Sequence, residues 1–251
     1  MSPPFHPLLY SLLLFLGMLV MLEVGRLLAR RRREGPDGLN TIEAAVFALF
    51  GLLIAFTFSG AAARFQEKRM LVADEAGAIR TAYLRVDLAA REQQTALREL
   101  FRQYLDSRLE TYRKLPDYKA ASAELARSKQ IQAQLWSAAV AAGKTRAPVT
   151  FLLLPTLNDM FHIAETRTME LQNHPPPVVY ALLFGLGLLC SVLAGFRIGF
   201  GPKRDWLHIL TFAAFTTVII YTMLDVEYPR VGLIQLKDAD RALVELRASM
   251  E

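Results

Sequence analysis

The stretch Ala44–Ala63, which reads AAVFALFGLLIAFTFSGAAA, contains no charged side chain. A helix needs about 20 apolar residues to cross the hydrocarbon core of a bilayer. Three further uncharged stretches have a similar length: Ser2–Leu22, Val178–Phe196 and Trp206–Leu224. Because a backbone in hydrocarbon must satisfy its own hydrogen bonds, each stretch is predicted to be one membrane-crossing helix. The sequence therefore predicts an integral membrane protein.

The composition agrees with this prediction, since 53% of the 251 residues are hydrophobic. The net charge of +5 comes mostly from the run Arg30–Arg33. An arginine run beside a membrane helix more often sets orientation or contacts lipid headgroups than binds nucleic acid. The only cysteine, Cys190, lies in an apolar stretch and has no intrachain disulfide partner. We therefore expect the lipid bilayer as a partner, and neither nucleic acid nor a cofactor.

The residues between apolar stretches two and three follow a helical pattern. Apolar side chains recur at helical spacing, as at Leu97, Phe101 and Tyr104, and no useful β-alternation appears. Helical spacing also continues past Ala63, so helix two is predicted to extend beyond its apolar part. A turn signal at Gly35–Gly38 separates helices one and two.

The predicted fold is an all-α membrane protein. Four transmembrane helices form a 2+2 arrangement, with a helical-bundle insert between helices two and three. The predicted parts are transmembrane helices 1 and 2 in residues 1–63, the extramembrane helical domain in 64–177, transmembrane helices 3 and 4 in 178–224, and a C-terminal tail with a short amphipathic helix in 225–251.

The positive charges near the helix ends predict the orientation. Basic residues concentrate on the cytoplasmic side of a membrane protein, and the first helix usually dominates. The total count is equal on the two sides, but helix one has five basic residues after it, Arg26 and Arg30–Arg33, and none before it. We therefore expect both short loops inside, and the insert and both termini outside.

A stripe of large apolar residues runs along helix two. Phe50, Ile54 and Phe58 lie at four-residue spacing and therefore share a face. Repeated around a symmetry axis, this face would form a hydrophobic constriction that gates by dewetting. The alternative is that the stripe packs against helices three and four, which is the commoner role of such a face. Three basic residues follow and would favour anions at a pore mouth: Arg64, Lys68 and Arg69.

Helix three contains a second pattern of spaced residues. Ser191, Gly195 and Gly199 recur every four residues, and small side chains at this spacing let membrane helices approach closely. We expect this stripe to serve packing within the subunit, with a subunit interface as the alternative.

No catalytic or metal site is predicted. Asp159, His162 and Glu165 recur every three residues, and carboxylates and imidazole can ligate zinc. Three-residue steps drift around a helix, however, so a solvated polar face is the preferred interpretation. The sequence also lacks a Gly-rich phosphate loop, a Gly-x-Ser-x-Gly elbow and a His-Glu-x-x-His motif. We therefore expect a protein that is not an enzyme.

Three blocks of sequence resemble one protein family. They are Gly51–Gly60 running through Arg64-Phe65 to Asp74-Glu75-Ala76 and Thr81–Arg85, then Leu157–Met160 with Thr166–Thr168, and finally Leu224-Asp225 followed by Tyr228–Ile234, with Asp240–Leu243 and Leu246–Met250. With these blocks the chain resembles a bacterial group of integral membrane proteins described as bestrophin-like. The blocks extend from helix two to the end of the chain.

The resemblance implies an oligomeric channel. Bestrophins are pentameric anion channels, with some cation-conducting bacterial relatives, and their second helix lines the pore with spaced apolar side chains. The resemblance also implies a bacterial inner-membrane location. It places the large domain and both termini in the cytoplasm, whereas the charge pattern predicts the periplasmic or extracellular side. One departure is Phe65–Arg69, which replaces the Arg-Trp-Trp-Glu-type segment of bestrophins.

Two functions are compatible with these observations. The first is a homo-oligomeric ion channel in which helix two lines an anion pore. The resemblance implies that this oligomer is a pentamer. The alternative is a non-conducting membrane sensor or scaffold whose extramembrane helical domain binds a ligand or partner. Helix-two faces that converge on a common axis would favour the channel.

Overall fold

The computed structural model describes residues 6–31, 39–115, 117–171, 173–201, 206–229 and 232–250, with backbone only for 39, 40 and 237–239. All regular structure in these ranges is helical, which confirms the predicted all-α class. The helices are α1 (Pro7–Arg30), α2 (Leu39–Leu84), α3 (Arg91–Arg113), α4 (Tyr118–Gly143), α5 (Leu154–Glu170), α6 (Pro177–Gly199), α7 (Trp206–Glu227) and α8 (Lys237–Ala248), with a 3₁₀ turn at Arg85–Leu88 and a π turn at Val149–Leu153.

Four of these helices are long and apolar enough to cross a membrane: α1, α2, α6 and α7. They contain the uncharged stretches found in the sequence from Pro7 onward, and residues 2–5 of the first stretch lie outside the described residues. α2 is a single helix of 46 residues, so it continues past Ala63 as predicted. The predicted turn Gly35–Gly38, Arg32 and Arg33 of the basic run, and Arg230 and Val231 of the C-terminal block lie outside the described residues.

The chain divides into two compact units. The membrane unit comprises Phe5–Phe65 and His174–Ile234. The insert unit contains Gln66–Asn173 and the C-terminal residues from Gln235 onward. The residues predicted as one tail, 225–251, are therefore divided: those up to Ile234 belong with the membrane helices, and α8 belongs with the insert helices.

Contacts within the membrane unit define the directions of its helices. α1 and α6 run parallel, because contacts progress along both together, from Gly17–Leu188 through Leu22–Gly195 to Ala29–Gly199. α2 and α7 also run parallel, with an edge-on ring contact of Phe47–Phe212 and an ion pair of Arg64–Glu227. α2 and α6 run antiparallel, with contacts at Glu43–Arg197 and Phe50–Gly187.

Glycines allow the close approach of α1 and α6. A Cβ atom on Gly195 would lie 2.0 Å from the carbonyl oxygen of Leu22, and one on Gly25 would lie 2.0 Å from that of Val192. On Gly199 it would lie 2.5 Å from the Ala29 Cβ. The small-residue stripe of α6 thus lies against α1 of the same subunit. Ser191 is fully buried and its hydroxyl donates to the Gly187 carbonyl at 2.8 Å.

The insert unit has a separate apolar core. Phe101 and Tyr104 of α3 are buried, as their helical spacing predicts, and pack with side chains from α4, α5 and the second half of α2. The α8 residues Leu243 and Leu246 belong to the same core. Fully burying one large apolar side chain stabilises the fold by roughly 1.5–3 kcal/mol. The C-terminal helix is therefore an integral part of this unit.

Replacing Gly195 with Ala tests the close helix contact. The added methyl group would overlap the Leu22 backbone, so we expect α1 and α6 to separate and the protein to lose about 1–3 kcal/mol of stability. Thermal unfolding in detergent measures the effect. Gly185→Ala on the same helix is the matched control, because nothing lies within 4 Å of a Cβ there. Equal melting temperatures for the two variants would contradict the tight contact.

Candidate functional site

Among the four membrane-length helices, α2 has the smallest buried share of its apolar part. Only 17% of the apolar part of α2 is buried, against 28%, 33% and 44% for α1, α6 and α7. Among its large side chains, Leu49, Leu52 and Phe56 are 55%, 52% and 68% exposed. Such a surface faces lipid, another membrane protein or the dewetted constriction of a pore, because hydrocarbon side chains avoid water.

The predicted stripe on α2 is split between two environments. Phe50 is 4% exposed and its ring lies over Gly187 in the core of the membrane unit. Ile54 is half-buried against the same core, whereas Phe58 is 40% exposed. Each four-residue step advances about 40° around a helix. A stripe of three such residues therefore turns from the buried side of α2 towards its open side.

The three predicted pore-mouth residues also differ in their surroundings. Arg64 is an ion-pair partner of Glu227, with 2.8 Å between Nη2 and Oε2. Lys68 is buried, at 4% exposure, and Arg69 is exposed. Of these three basic residues, Arg69 is the one whose charge faces outward.

A polar cluster surrounds Glu227 at the end of α7. The Glu227 carboxylate is 1% exposed, accepts from Arg64 and lies 3.2 Å from Nδ1 of His174. The His174 ring stacks on Tyr228, with 4.4 Å between the ring centroids. A buried carboxylate needs such partners, because an unpaired charge in a membrane protein is costly. The sequence pattern alone assigned no role to Glu227. Its position just after an apolar run is nevertheless a detectable sign of a carboxylate that needs a partner at the end of a membrane helix.

Asp225 holds the turn that follows α7. Its carboxylate accepts the backbone N–H groups of Leu233 and Ile234 at 2.9 Å and 2.7 Å. A Cβ on Gly232 would lie 1.5 Å from the Asp225 carboxylate, so no other residue fits this turn without rearrangement. This contact gives a physical reason for the Asp225 and Gly232 pair in the C-terminal sequence block.

A second buried ionic network lies in the insert unit. The Glu75 carboxylate on α2 is fully buried and contacts Arg108 of α3 and Arg167 of α5, both at 2.5 Å. Arg167 also pairs with Asp240 of α8 at 3.0 Å and lies over the Tyr112 ring, 3.6 Å from its centroid. Two carboxylates thus balance two guanidinium groups. The network ties four helices together.

The pKa of Glu75 reflects two opposing effects. Burial raises the pKa of this carboxyl, but the adjacent Arg108 and Arg167 guanidinium groups outweigh burial and hold it below its ordinary range. Glu75 therefore stays ionised at neutral pH. A carboxylate with fixed charge and two saturated ion pairs stabilises structure and does not exchange protons. Glu75 and Arg167 occur in the sequence blocks, but their pairing across the chain was not predictable.

The candidate metal ligands on α5 do not form a site. Asp159, His162 and Glu165 are all exposed. Within the described residues, no three His, Cys, Asp or Glu side chains lie close enough together to hold a metal ion.

The variant Glu75→Gln tests the buried network. It leaves the buried Arg108 without its carboxylate partner and Arg167 with Asp240 alone, so we expect a loss of about 3–5 kcal/mol, measured by chemical unfolding. The exposed Asp159→Asn is the control and should change stability by less than about 0.5 kcal/mol. Because the Glu75 pKa is lowered, its stabilisation is present above the ordinary value of about 4.3 and is lost as pH falls further. The free energy of unfolding of Glu75→Gln should therefore fall less steeply with decreasing pH than that of the native protein.

Three-dimensional comparison finds bestrophin homologues. A bacterial bestrophin homologue from Klebsiella pneumoniae, solved by Zn-SAD phasing, has a TM-score of 0.65 at 15% identity, over 96% of this chain and 98% of the solved chain. One mutant form of a Klebsiella pneumoniae homologue has a TM-score of 0.62 at 14% identity, over 95% of this chain and 99% of the solved chain. Another mutant form has a TM-score of 0.61 at 18% identity, over 97% of this chain and 98% of the solved chain. At these identities the likeness concerns the fold.

Comparison of sequences gives the family. No curated protein matches the sequence significantly. A family model described as the bestrophin-like domain matches residues 11–240, which confirms the resemblance seen in the three sequence blocks. The chain therefore belongs to the bestrophin-like family.

Proposed function

We propose that this protein is a subunit of a homo-oligomeric ion channel in which α2 lines the pore. The observation that supports this most is the openness of α2, which is the least buried of the four membrane helices. A helix that gives little of its surface to its own subunit has that surface available for a shared axis. The resemblance to bestrophin channels supports the same function and suggests five subunits.

We propose that the membrane unit crosses the bilayer as two helical hairpins. The parallel pairs α1 with α6 and α2 with α7 support this 2+2 arrangement. In such a topology the α1–α2 and α6–α7 connections share one side of the inner membrane. The insert and both termini then share the other side, and the charge pattern of α1 favours the periplasmic or extracellular side for them.

The proposed constriction lies on the open side of α2. Leu49, Leu52 and Phe56 are its large exposed side chains, and their three- and four-residue spacing places them on one face of the helix. A ring of such side chains repels water and closes a pore without a plug. Phe50 and Ile54 of the original stripe support this surface from within the subunit. The anion preference is proposed from the resemblance, since Arg64 shares its charge with Glu227.

Single-channel recording in planar bilayers tests the pore. We expect Phe56→Ala, or Leu52→Ala one turn before it, to raise open probability or conductance severalfold, because a smaller side chain weakens the dewetting barrier. Phe215→Ala on α7 is the control, since Phe215 is equally exposed, at 67%, on a helix outside the proposed pore. Reversal potentials in a salt gradient give the ion preference. A folded oligomer without current would favour the sensor or scaffold function.

Cysteine labelling in intact cells tests the orientation. The buried Cys190 is first replaced by Ala, and single cysteines are introduced at the exposed positions Gln130 in α4 and Arg31 after α1. We expect a membrane-impermeant maleimide to label Gln130→Cys and not Arg31→Cys, because α2 crosses the bilayer once between them. The reverse pattern would assign the cytoplasmic orientation known for bestrophins.

A further inference from the structure

The insert-unit part of α2 has an open face with an uncharged middle. Met70 and Leu84 are 57% and 64% exposed, and Ala73 and Gly77 are exposed between them. Nothing lies within 4 Å of a Cβ built on Gly77. The opposite side of the same segment, including Val72 and Ile79, is buried in the core of the insert unit. This open face is therefore flat, partly apolar and uncovered.

Charges of opposite sign flank the two edges of this face. Glu67 and Asp74 are exposed on one edge, and Arg69 and Arg80 are exposed on the other. Spacings of seven and eleven residues return a side chain to nearly the same angle around a helix. At 100° per residue the two edges lie about 140° apart, with the uncharged middle between them. We call them the acidic edge and the basic edge.

None of these four charges forms an ion pair with a described residue of its own chain. Their helical spacing explains this, because none has another of the four at i±3 or i±4, the positions that allow pairing on one helix. Pairing at i±3 does occur elsewhere in the insert unit, as between Glu99 and Arg102 and between Glu110 and Arg113 of α3. The four charges of the open face of α2 are thus available to a neighbouring molecule.

We propose that this segment of α2 is the contact between neighbouring copies of the chain, with the acidic edge of one copy facing the basic edge of the next. The inference rests on the proposed oligomeric channel. All copies cross the bilayer in the same direction, so their α2 helices are parallel. An α2 whose middle faces the common axis of a ring presents one edge to each of its two neighbours, and rotation always brings unlike edges together.

The positions of the charges along the helix fit this arrangement. Rotation about an axis keeps every residue at the same height in all copies. Glu67 and Arg69 differ by two residues, which is a rise of about 3 Å, so Glu67 of one copy lies nearly level with Arg69 of the next. Asp74 lies about 7.5 Å along the axis from the level of Arg69 and about 9 Å from that of Arg80, so it extends the acidic edge between them. A neighbour of the same chain therefore supplies the missing counter-charges.

This contact has a consequence for the proposed pore. Of the three predicted pore-mouth residues, Arg69 is the one whose side chain is exposed on its own subunit. Paired with Glu67 of the next copy, it would contribute little net charge to the ion path. The three basic residues Arg64, Lys68 and Arg69 would then act in packing and assembly, and the ion preference would arise elsewhere in the pore.

Disulfide cross-linking in native membranes tests the contact. In a Cys190→Ala background, the double variant Glu67→Cys, Arg69→Cys should give a ladder of covalent products that rises beyond the dimer. The two cysteines lie on opposite sides of one helix, so they cannot pair within a chain. Either single variant should stay monomeric on a denaturing gel. The control Lys119→Cys, Lys129→Cys places two cysteines on exposed positions of α4 and should give no ladder.

The outcomes separate the contact from the proposed function. A ladder restricted to the double variant supports the contact, and its last step counts the subunits. Cross-linking of Glu67→Cys with itself would overturn it, because like edges would then meet. An oligomer by native mass spectrometry without any ladder would also overturn the contact while leaving the channel in place. A protein that is monomeric in every preparation would instead remove the proposed function.

Charge reversal provides a second test without cysteines. Exposed ion pairs are weak, so Glu67→Arg or Arg69→Glu alone should lower the oligomer population by roughly up to fivefold per contact. The swapped variant Glu67→Arg, Arg69→Glu restores unlike edges and should regain the native population. Salt near 1 M, where the screening length is about 3 Å, should reduce the difference between them. Equal loss in the single and swapped variants would overturn the contact, since it would show a structural effect.

Discussion

A backbone amide in hydrocarbon finds no water to bond, and this constraint determines the membrane unit. It selects helices for the four uncharged stretches, and it also limits which polar side chains can accompany them. Glu227 is nearly inaccessible to solvent, and it is tolerated because Arg64 and His174 contact it from two directions. Asp225 is tolerated because it accepts backbone N–H groups of the following turn. Glu227 therefore fixes two segments distant in sequence, whereas Asp225 fixes the residues that follow α7.

Elements that depend on local composition could be predicted from the sequence. Uncharged length predicts the four membrane helices, and apolar spacing predicts the helices of the insert with Phe101 and Tyr104 inside. The continuity of α2 follows from helical periodicity that outlasts the change from apolar to charged residues. These features need only neighbours within a few turns, so a single sequence contains them.

Features that depend on rotation or on distant partners could not be predicted. The spacing of Phe50, Ile54 and Phe58 indicates a shared face, but it does not say which side of α2 the subunit covers. Glu75 meets Arg108 and Arg167, which are 33 and 92 residues away. Nothing in the local pattern distinguishes these two arginines from those on the surface. The structure identifies them because they are buried at the junction of α2, α3 and α5.

The two sides of α2 in the insert unit differ in whether their charged side chains find partners within the same chain. On the inner side, Val72 and Ile79 fill the core and the charge of Glu75 is balanced by Arg108 and Arg167. On the open side, exposed charges of both signs border an uncharged strip. The inner side therefore contributes to the fold of the chain itself. In the proposed contact the open side would gain its counter-charges from another copy, so folding and assembly would depend on different surfaces of the same helix.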